Sequence, residues 1–278
     1  MEIRFSADSG EMDMLHKEFA AGSFYRTGTL AIWKLVSLIQ IIRQRTLSAA
    51  ESPTYSSRYQ DDEDRVLVVR AMEIEVFPAL KTRIKRATPL RSTTSTTHIG
   101  KTSVSYLDTV RLAETGEKII RCGSLTVDVD RKTGEEMEIP STDVEKIKPF
   151  MTGEQPQYMS PLTYRPAAVQ CTYTFRVPPS DCDADGVISQ SNYIKYCIDD
   201  ASIGVEKHSF TRFKKDFMFQ PISSWSLLYL GHGYSRDQLT VISWEDKKSP
   251  NILYFIIQRD NQDIFHAIAK AEFELAKL

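Results

Sequence analysis

The sequence predicts an α+β protein made of two similar halves, each an antiparallel sheet wrapped around one long helix. The main observation is that the same order of elements occurs twice along the 278 residues: a short strand, a loop, one long apolar helix and then strands. Identity between the halves is negligible, so the pattern repeats but the residues do not. With one long helix in each half, there are too few helices to cover both faces of a sheet, as helices do in an α/β fold. This favours two curled antiparallel sheets lying side by side, each wrapped around its own helix.

Composition narrows the class of protein further. Hydrophobic residues make up 41% and charged residues 26% of the chain, which is typical of a globular protein and excludes disorder as the main state. The net charge of −2 gives no basic surplus for nucleic-acid binding. The longest apolar stretch, Leu30–Ile42, is shorter than the about 20 residues of a membrane span. Four cysteines without a C-x-x-C pair indicate reduced thiols in an intracellular protein.

The first half, 1–139, starts with a short alternating strand at Met1–Phe5 and a polar loop. A helix near 29–45 follows, capped by Thr29, and its apolar residues surround most of its circumference. Residues 48–64 are polar and rich in turn formers, which indicates a loop or flap. The remaining strands are expected at Val66–Phe77, Lys81–Ile99, Lys101–Leu112 and Lys118–Asp130.

A proline-bearing stretch, 140–168, predicts the connection between two domains. The second half, 169–278, contains a predicted helix near 190–206. Its strands are expected at Thr172–Val177, Ile222–Leu230, Gln238–Trp244, Asn251–Arg259 and Ile264–Leu275.

The segment 180–193 is the best candidate for chemistry. Asp181, Asp183 and Asp185 lie within five residues and are followed by Gly186 and a helix start. Adjacent carboxylates raise one another's pKa, and a helix N-terminus presents N–H groups that can polarise a carbonyl. An acidic turn that caps a helix, or a cation-binding loop, remains the alternative. Calcium is disfavoured because an EF-hand loop would need glutamate where Asn192 stands.

This segment resembles the signature of hotdog-fold thioesterases, especially the 4-hydroxybenzoyl-CoA type. The matching residues are Asp181, Cys182, Asp183, Gly186, Asn192 and Tyr193. The chain as a whole looks like two hotdogs in tandem, as in plant acyl-carrier-protein thioesterases. The resemblance implies that Asp183 is catalytic, with Asp181 and Asp185 acting on it, and that the backbone N–H near Gln190 polarises the thioester carbonyl. Asn192 and Tyr193 are expected to contact the substrate.

The sequence departs from the family at several positions. The plant enzymes carry Asn and His where this chain has Asp185 and Val187. No histidine lies between His98 and His208, which argues against hydratase chemistry. The first half has Asp8 and Asp13 without the spacing of the motif, so one catalytic site per chain is expected.

A basic stretch in the first half is a second candidate site. Its members are Lys81, Arg83, Lys85, Arg86, Arg91 and Lys101. Positions 81, 83 and 85 would share one face of a strand. Arg86 and Arg91 are the candidates to bind phosphates of coenzyme A or an acidic carrier protein. The alternative is a solvated edge strand that its basic residues protect from pairing.

These observations predict a hydrolase of acyl-CoA or acyl-carrier-protein thioesters, without a metal or a cofactor other than the coenzyme A of the substrate. A non-catalytic protein that binds acyl thioesters is the alternative, and an esterase or condensing role is a third option. A homo-oligomer is expected. The C-terminal Ala276-Lys277-Leu278 resembles a peroxisomal address, which predicts a peroxisomal protein in a eukaryote and a cytoplasmic one otherwise.

Overall fold

The computed structural model forms two compact units that divide between Tyr158 and Met159. This division falls inside the stretch 140–168 that the sequence predicts as the connection. The described residues are 2–6, 11–16, 30–47, 64–85, 87–154, 156–166, 169–183 and 185–272. The predicted loop 48–64 lies almost wholly outside them, as do Asp8, Arg86 and the C-terminal tripeptide.

The first unit combines antiparallel strands with one long helix, α1, at Ile32–Leu47. Two short helices follow it, α2 at Ala79–Thr82 and α3 at Ser141–Ile147. The strands are β1 Glu2–Ser6, β2 Glu11–His16, β3 Arg65–Val76, β4 Leu90–Ile99, β5 Ser103–Leu112 and β6 Lys118–Asp130. They pair in the order β1-β2-β4-β5-β6-β3, and every pairing is antiparallel.

Two predictions for this unit are wrong. The expected strand Lys81–Ile99 is a strand only from Leu90, and its first residues belong to α2. Pro78 explains the difference, because its fixed φ suits the start of a helical turn. The expected polar loop after Phe5 contains β2, which pairs with both β1 and β4.

Helix α1 buries a charged residue as well as its apolar side. Arg43 is buried and donates to one carboxylate oxygen of Asp108 on β5. The Thr94 hydroxyl on β4 donates to the other oxygen at 2.7 Å. Desolvation of two charges is costly, and this pairing with added hydrogen bonds offsets it. Among the described side chains of α1, the buried apolar ones are Leu35, Val36 and Ile39.

The second unit also combines antiparallel strands with one long helix. Its long helix, α4, spans Gln190–Glu206. The strands are β7 Cys171–Arg176, β8 Ile222–Tyr229, β9 Gln238–Glu245, β10 Ile252–Arg259 and β11 Gln262–Ala271. They pair in the order β8-β11-β10-β9-β7, again antiparallel throughout. Helix α4 packs on β7 and β9.

An aromatic cluster and one carboxylate organise the loop that follows α4. The buried rings of the cluster are Phe210, Phe213, Phe217, Trp225 and Phe255. Glu245 accepts from the backbone N–H groups of Thr211, Arg212 and Phe213, and from the Thr211 hydroxyl and the Gln170 amide. Burial alone would raise the pKa of Glu245, but these donors lower it to about 2. The carboxylate thereby fixes the loop that places the phenylalanines.

The two long helices confirm the predictions near 29–45 and 190–206, with boundaries shifted by a few residues. The pairing of the strands does not confirm the expected division into two separate sheets. Across the residues that the structure describes, no helix is long and apolar enough to span a membrane.

A buried carboxylate on α4 should make stability depend on pH. Asp200 is fully buried; Ser243 donates to one of its oxygens, and the other has no hydrogen-bond partner within the described chain. Burial raises the pKa of Asp200 from 3.8 to about 6, although the Ser243 hydroxyl and the nearby Cys171 thiol act to lower it. The native state therefore holds this proton more tightly, so its contribution to stability falls as the pH rises from about 4 to 6.

We expect Asp200→Asn to remove that dependence. The free energy of unfolding of the variant, relative to wild type, should rise by up to about 3 kcal/mol between pH 4 and pH 7. Urea titrations across this pH range measure it. Asp260→Asn, which neutralises an exposed carboxylate, serves as the control and should follow the wild-type curve. Parallel curves for Asp200→Asn and wild type would contradict the prediction.

Candidate active site

The three aspartates lie in a loop, residues 181–189, that leads directly into α4; we call it the motif loop. It closes on itself through a bridge between Cys182 and Ile188. Gly186 has a φ of +76°, a conformation that glycine adopts without strain, which explains the glycine of the motif. The Ser189 N–H donates to the Asp181 carbonyl at 3.0 Å and ties the end of the loop to its beginning.

Asp183 is an exposed carboxylate of the motif loop. Its Oδ1 accepts from the N–H groups of Asp185 and Val187, each at 3.0 Å. Its backbone N–H donates to the Val187 carbonyl at 2.8 Å. Its Oδ2 accepts no hydrogen bond from any residue that the structure describes. One oxygen thus orients the carboxylate, and the other is available to a substrate or a water molecule.

Asp181 has a different environment. It is buried, and Lys195 on α4 approaches its two oxygens at 2.9 and 3.1 Å. The Tyr196 hydroxyl donates to Asp181 Oδ2 at 2.9 Å. This buried acid is engaged by a cation and a phenol, so its geometry suits a positioning role. Asp185 is exposed, and its N–H belongs to the Asp183 turn.

The two residues expected to contact substrate are bonded within the protein. Asn192 Nδ2 donates to the Asp181 carbonyl at 2.7 Å. The Tyr193 hydroxyl accepts from the Gly233 N–H at 2.9 Å, and burial raises the pKa of this phenol to about 12. Both side chains are buried and join the motif loop to its surroundings. Their contact with substrate stays a prediction.

Gln190 is the first residue of α4 and follows Ser189, the residue at the N-cap position. The Tyr229 hydroxyl donates to its carbonyl at 3.2 Å. Amide groups in the first turn of a helix have no acceptor within the helix and carry partial positive charge. The predicted role of the Gln190 N–H is therefore compatible with its position.

Cys182, between two of the aspartates, is a poor nucleophile. Burial raises the pKa of its thiol, and the negative charges of Asp183 and Asp181 raise it further. The thiolate form is disfavoured at neutral pH.

The structure does not assemble the basic stretch as predicted. Lys81 belongs to α2, so positions 81, 83 and 85 do not share a strand face. Arg91 lies 3.5 Å from Asp13, and Arg83 lies 4.0 Å from Glu117. Lys101 pairs with Glu138. The alternative of an edge strand is not found either, because β4, which carries Arg91, pairs with both β2 and β5. The phosphate role of Arg86 and Arg91 stays a prediction.

Sequence reasoning missed the groups that support the motif loop. Lys195 and Tyr196 lie 14 and 15 positions beyond Asp181, a separation with no recognisable spacing rule. Asp199, one turn beyond Lys195, is half-buried; burial raises the pKa of its carboxyl. The one available signal was the i, i+4 relation of Lys195 and Asp199 on a predicted helix.

Comparison with known proteins yields matches among solved structures. No family model and no curated protein matches the sequence. The 12:0-ACP thioesterase from Umbellularia californica matches with a TM-score of 0.74 at 13% identity, over 96% of this chain and 99% of that chain. An acyl-ACP thioesterase from Bacteroides thetaiotaomicron matches with a TM-score of 0.70 at 13% identity, over 96% and 100%. The resemblance to hotdog-fold thioesterases is thereby confirmed for the fold.

We expect Asp181→Asn to destabilise the protein because it leaves the Lys195 ammonium, itself part-buried, without its ion pair. The free energy of unfolding should fall by about 1–3 kcal/mol. Denaturant titration measures the effect. The double variant Asp181→Asn, Lys195→Met should recover part of the loss, because it removes the unpaired charge together with its partner. A double variant that shows the sum of two independent losses would contradict the pairing.

Proposed function

We propose that this chain hydrolyses acyl thioesters at the N-terminal end of α4, with Asp183 as the reacting carboxylate. The observation that carries the proposal is the division of its two oxygens. Oδ1 accepts two backbone N–H groups of the motif loop, whereas Oδ2 of this exposed residue accepts no hydrogen bond from the described residues; the long helix begins seven residues further on, at Gln190. A fixed carboxylate beside a helix N-terminus supplies both a base and a site for a developing oxyanion.

As a general base, Asp183 takes a proton from a water molecule while the water oxygen attacks the thioester carbonyl carbon. Electron density moves to the carbonyl oxygen, which the Gln190 N–H and the positive end of α4 stabilise. Collapse of the tetrahedral intermediate breaks the carbon–sulfur bond. The proton returns to the leaving sulfur, and the products are a carboxylic acid and a free thiol.

As a nucleophile, Asp183 Oδ2 attacks the same carbon itself and expels the thiolate, leaving a mixed anhydride. Water then opens the anhydride and supplies the proton that the thiolate takes up. A single turnover in isotopically labelled water separates the two routes. In the general-base route every product carboxylate carries one water oxygen beside the original carbonyl oxygen, and Asp183 stays unlabelled. An unlabelled product together with labelled Asp183 supports the anhydride route, with water attacking the aspartyl carbon.

The same reasoning assigns supporting tasks to the other two aspartates. Asp181 holds the motif loop on α4 through Lys195 and Tyr196. Asp185 supplies the N–H that, with the N–H of Val187, fixes Asp183 Oδ1. Both act on the reaction through the position and the field of Asp183.

We further propose that the chain is a tandem hotdog in which the second unit holds the catalytic site. The two solved acyl-ACP thioesterases support this arrangement because the match extends over 96% of the chain. The substrate is an acyl group on coenzyme A or on a carrier protein, and the proposed chemistry requires no further cofactor. The expected homo-oligomer and peroxisomal location remain predictions.

We expect Asp183→Asn to lower kcat by at least about 100-fold, the scale of losing a general base. The asparagine oxygen can still accept the N–H groups of Asp185 and Val187, so the fold and KM should change little. Release of free thiol from a panel of acyl-CoA thioesters measures kcat, and thermal unfolding checks the fold.

Asp185→Asn is the matched control, because it neutralises an exposed carboxylate of the same loop and leaves the N–H that bonds Asp183. We expect it to lose much less activity. If Asp185→Asn is nearly inactive and Asp183→Asn is active, the reacting carboxylate is Asp185 and the proposed role of Asp183 is wrong. Binding of acyl thioesters without hydrolysis by wild type would favour the binding-protein alternative.

A further inference from the structure

A second loop, residues 231–237, lies against the motif loop. The Ser235 N–H donates to the Gly186 carbonyl at 2.9 Å, and the Ile188 N–H donates to the Gly233 carbonyl at 3.0 Å. Val187 and Tyr234 form a bridge between the two loops. Side chains of the 231–237 loop therefore border the segment that carries the reacting carboxylate.

Arg236 has a backbone conformation that its side chain does not favour. Its φ is +71°, in the left-handed region. It is the third residue of a turn in which the Asp237 N–H donates to the Tyr234 carbonyl at 3.1 Å, a place where glycine or asparagine is usual. The Arg236 N–H donates to the Val177 carbonyl at 3.0 Å and holds this conformation. Strain of this kind is concentrated at functional sites.

The Arg236 guanidinium does not contribute to the fold. It is exposed, and no acceptor within the described residues takes a hydrogen bond from it. A glycine would satisfy the turn without the strain. The arginine thus costs stability at a place where its guanidinium makes no hydrogen bond or ion pair with a described residue, which indicates a ligand outside the chain.

Two more arginines contact the 231–237 loop; with Arg236 we call them the arginine cluster. Arg176 is exposed, and its Nε donates to the Arg236 carbonyl at 3.1 Å. Arg259 donates to the His232 carbonyl at 2.8 Å, and its guanidinium lies 5.3 Å from the ring centre of Tyr234. Asp237 approaches Arg259 at 3.4 Å, whereas no carboxylate of the described chain pairs with Arg176 or Arg236.

We propose that the arginine cluster binds the phosphate end of the substrate's pantetheine arm, an inference that rests on the proposed thioester hydrolysis. Guanidinium groups match phosphate oxygens in geometry and charge. The carboxylates of the motif loop repel a phosphate, so they direct it toward the arginines and leave the uncharged thioester near α4. This orientation of the substrate needs only the negative charges of the motif loop and the positive charges of the arginine cluster.

Tyr234 extends the same site toward a nucleotide. Its side chain is 44% exposed, and the Arg259 guanidinium lies over its ring. An exposed aromatic ring beside an arginine can stack on a purine base. The phosphate is shared by coenzyme A and by a carrier protein's prosthetic group, whereas the adenine belongs to coenzyme A alone.

Isothermal titration with coenzyme A, 4′-phosphopantetheine and unphosphorylated pantetheine tests the proposal on the full chain. We expect Arg236→Gly to weaken binding of both phosphorylated ligands by about tenfold, the scale of a lost charge-assisted hydrogen bond, and to leave pantetheine unaffected. Tyr234→Leu should weaken coenzyme A alone. The loss in Arg236→Gly should shrink at high salt.

The matched control is His208→Gly. His208 has a φ of 56° just beyond the C-terminal end of α4, so glycine relieves the same type of strain at the opposite end of the helix. Both glycine variants should unfold at an unchanged or higher Tm, and only Arg236→Gly should lose affinity. If the glycine variant folds poorly, Arg236→Asn provides a second test of the lost guanidinium, because asparagine tolerates the left-handed conformation and keeps a Cβ.

Coenzyme A affinity within about twofold of wild type in both Arg236 variants would overturn the proposal. Equal losses for pantetheine and its phosphorylated forms would also overturn it, because a phosphate contact cannot act on a ligand without phosphate. Binding is measured without turnover, so intact anchoring in a protein that hydrolyses no acyl thioester refutes the proposed function and leaves the phosphate site supported.

Discussion

The ion pair between Asp181 and Lys195 is the contact on which the geometry of the candidate site depends. It joins the first residue of the motif loop to the second turn of α4, in a buried environment where an unpaired charge would be costly. The backbone of Asp181 adds two further links, because its carbonyl accepts from Ser189 and from Asn192. The position of Asp183 relative to the helix N-terminus follows from these constraints.

This arrangement explains why three aspartates so close together do not compete for one role. Asp181 is buried and neutralised by Lys195, which removes its charge from the exposed side of the loop. Asp183 remains outward with one oxygen held by two N–H groups. Asp185 contributes chiefly through its backbone. Burial and hydrogen bonding, and not the order of residues along the chain, separate the tasks.

The sequence was sufficient for features that depend on local patterns. The two long helices and most strands follow from apolar periodicity, and the position of the motif loop follows from Asp183, Gly186 and the helix start. Features that depend on the folded chain were out of reach. The partners of Asp181 are distant in sequence. The turn at Arg236 is left-handed, but the sequence has no glycine there that would have predicted it. The prediction for the basic stretch failed because Pro78 starts a helical turn where a strand was expected.

The two units also differ in how they accommodate a buried ionisable side chain on their long helix. In the first unit, Arg43 of α1 is paired with Asp108, which Thr94 also bonds, so both charges are compensated. In the second unit, the Asp200 carboxylate on α4 accepts from the Ser243 hydroxyl alone among the described residues, and burial raises its pKa. A lone buried acid with a raised pKa makes the stability of the fold depend on pH. In the second unit that dependence originates beneath α4, separately from the carboxylates of the motif loop.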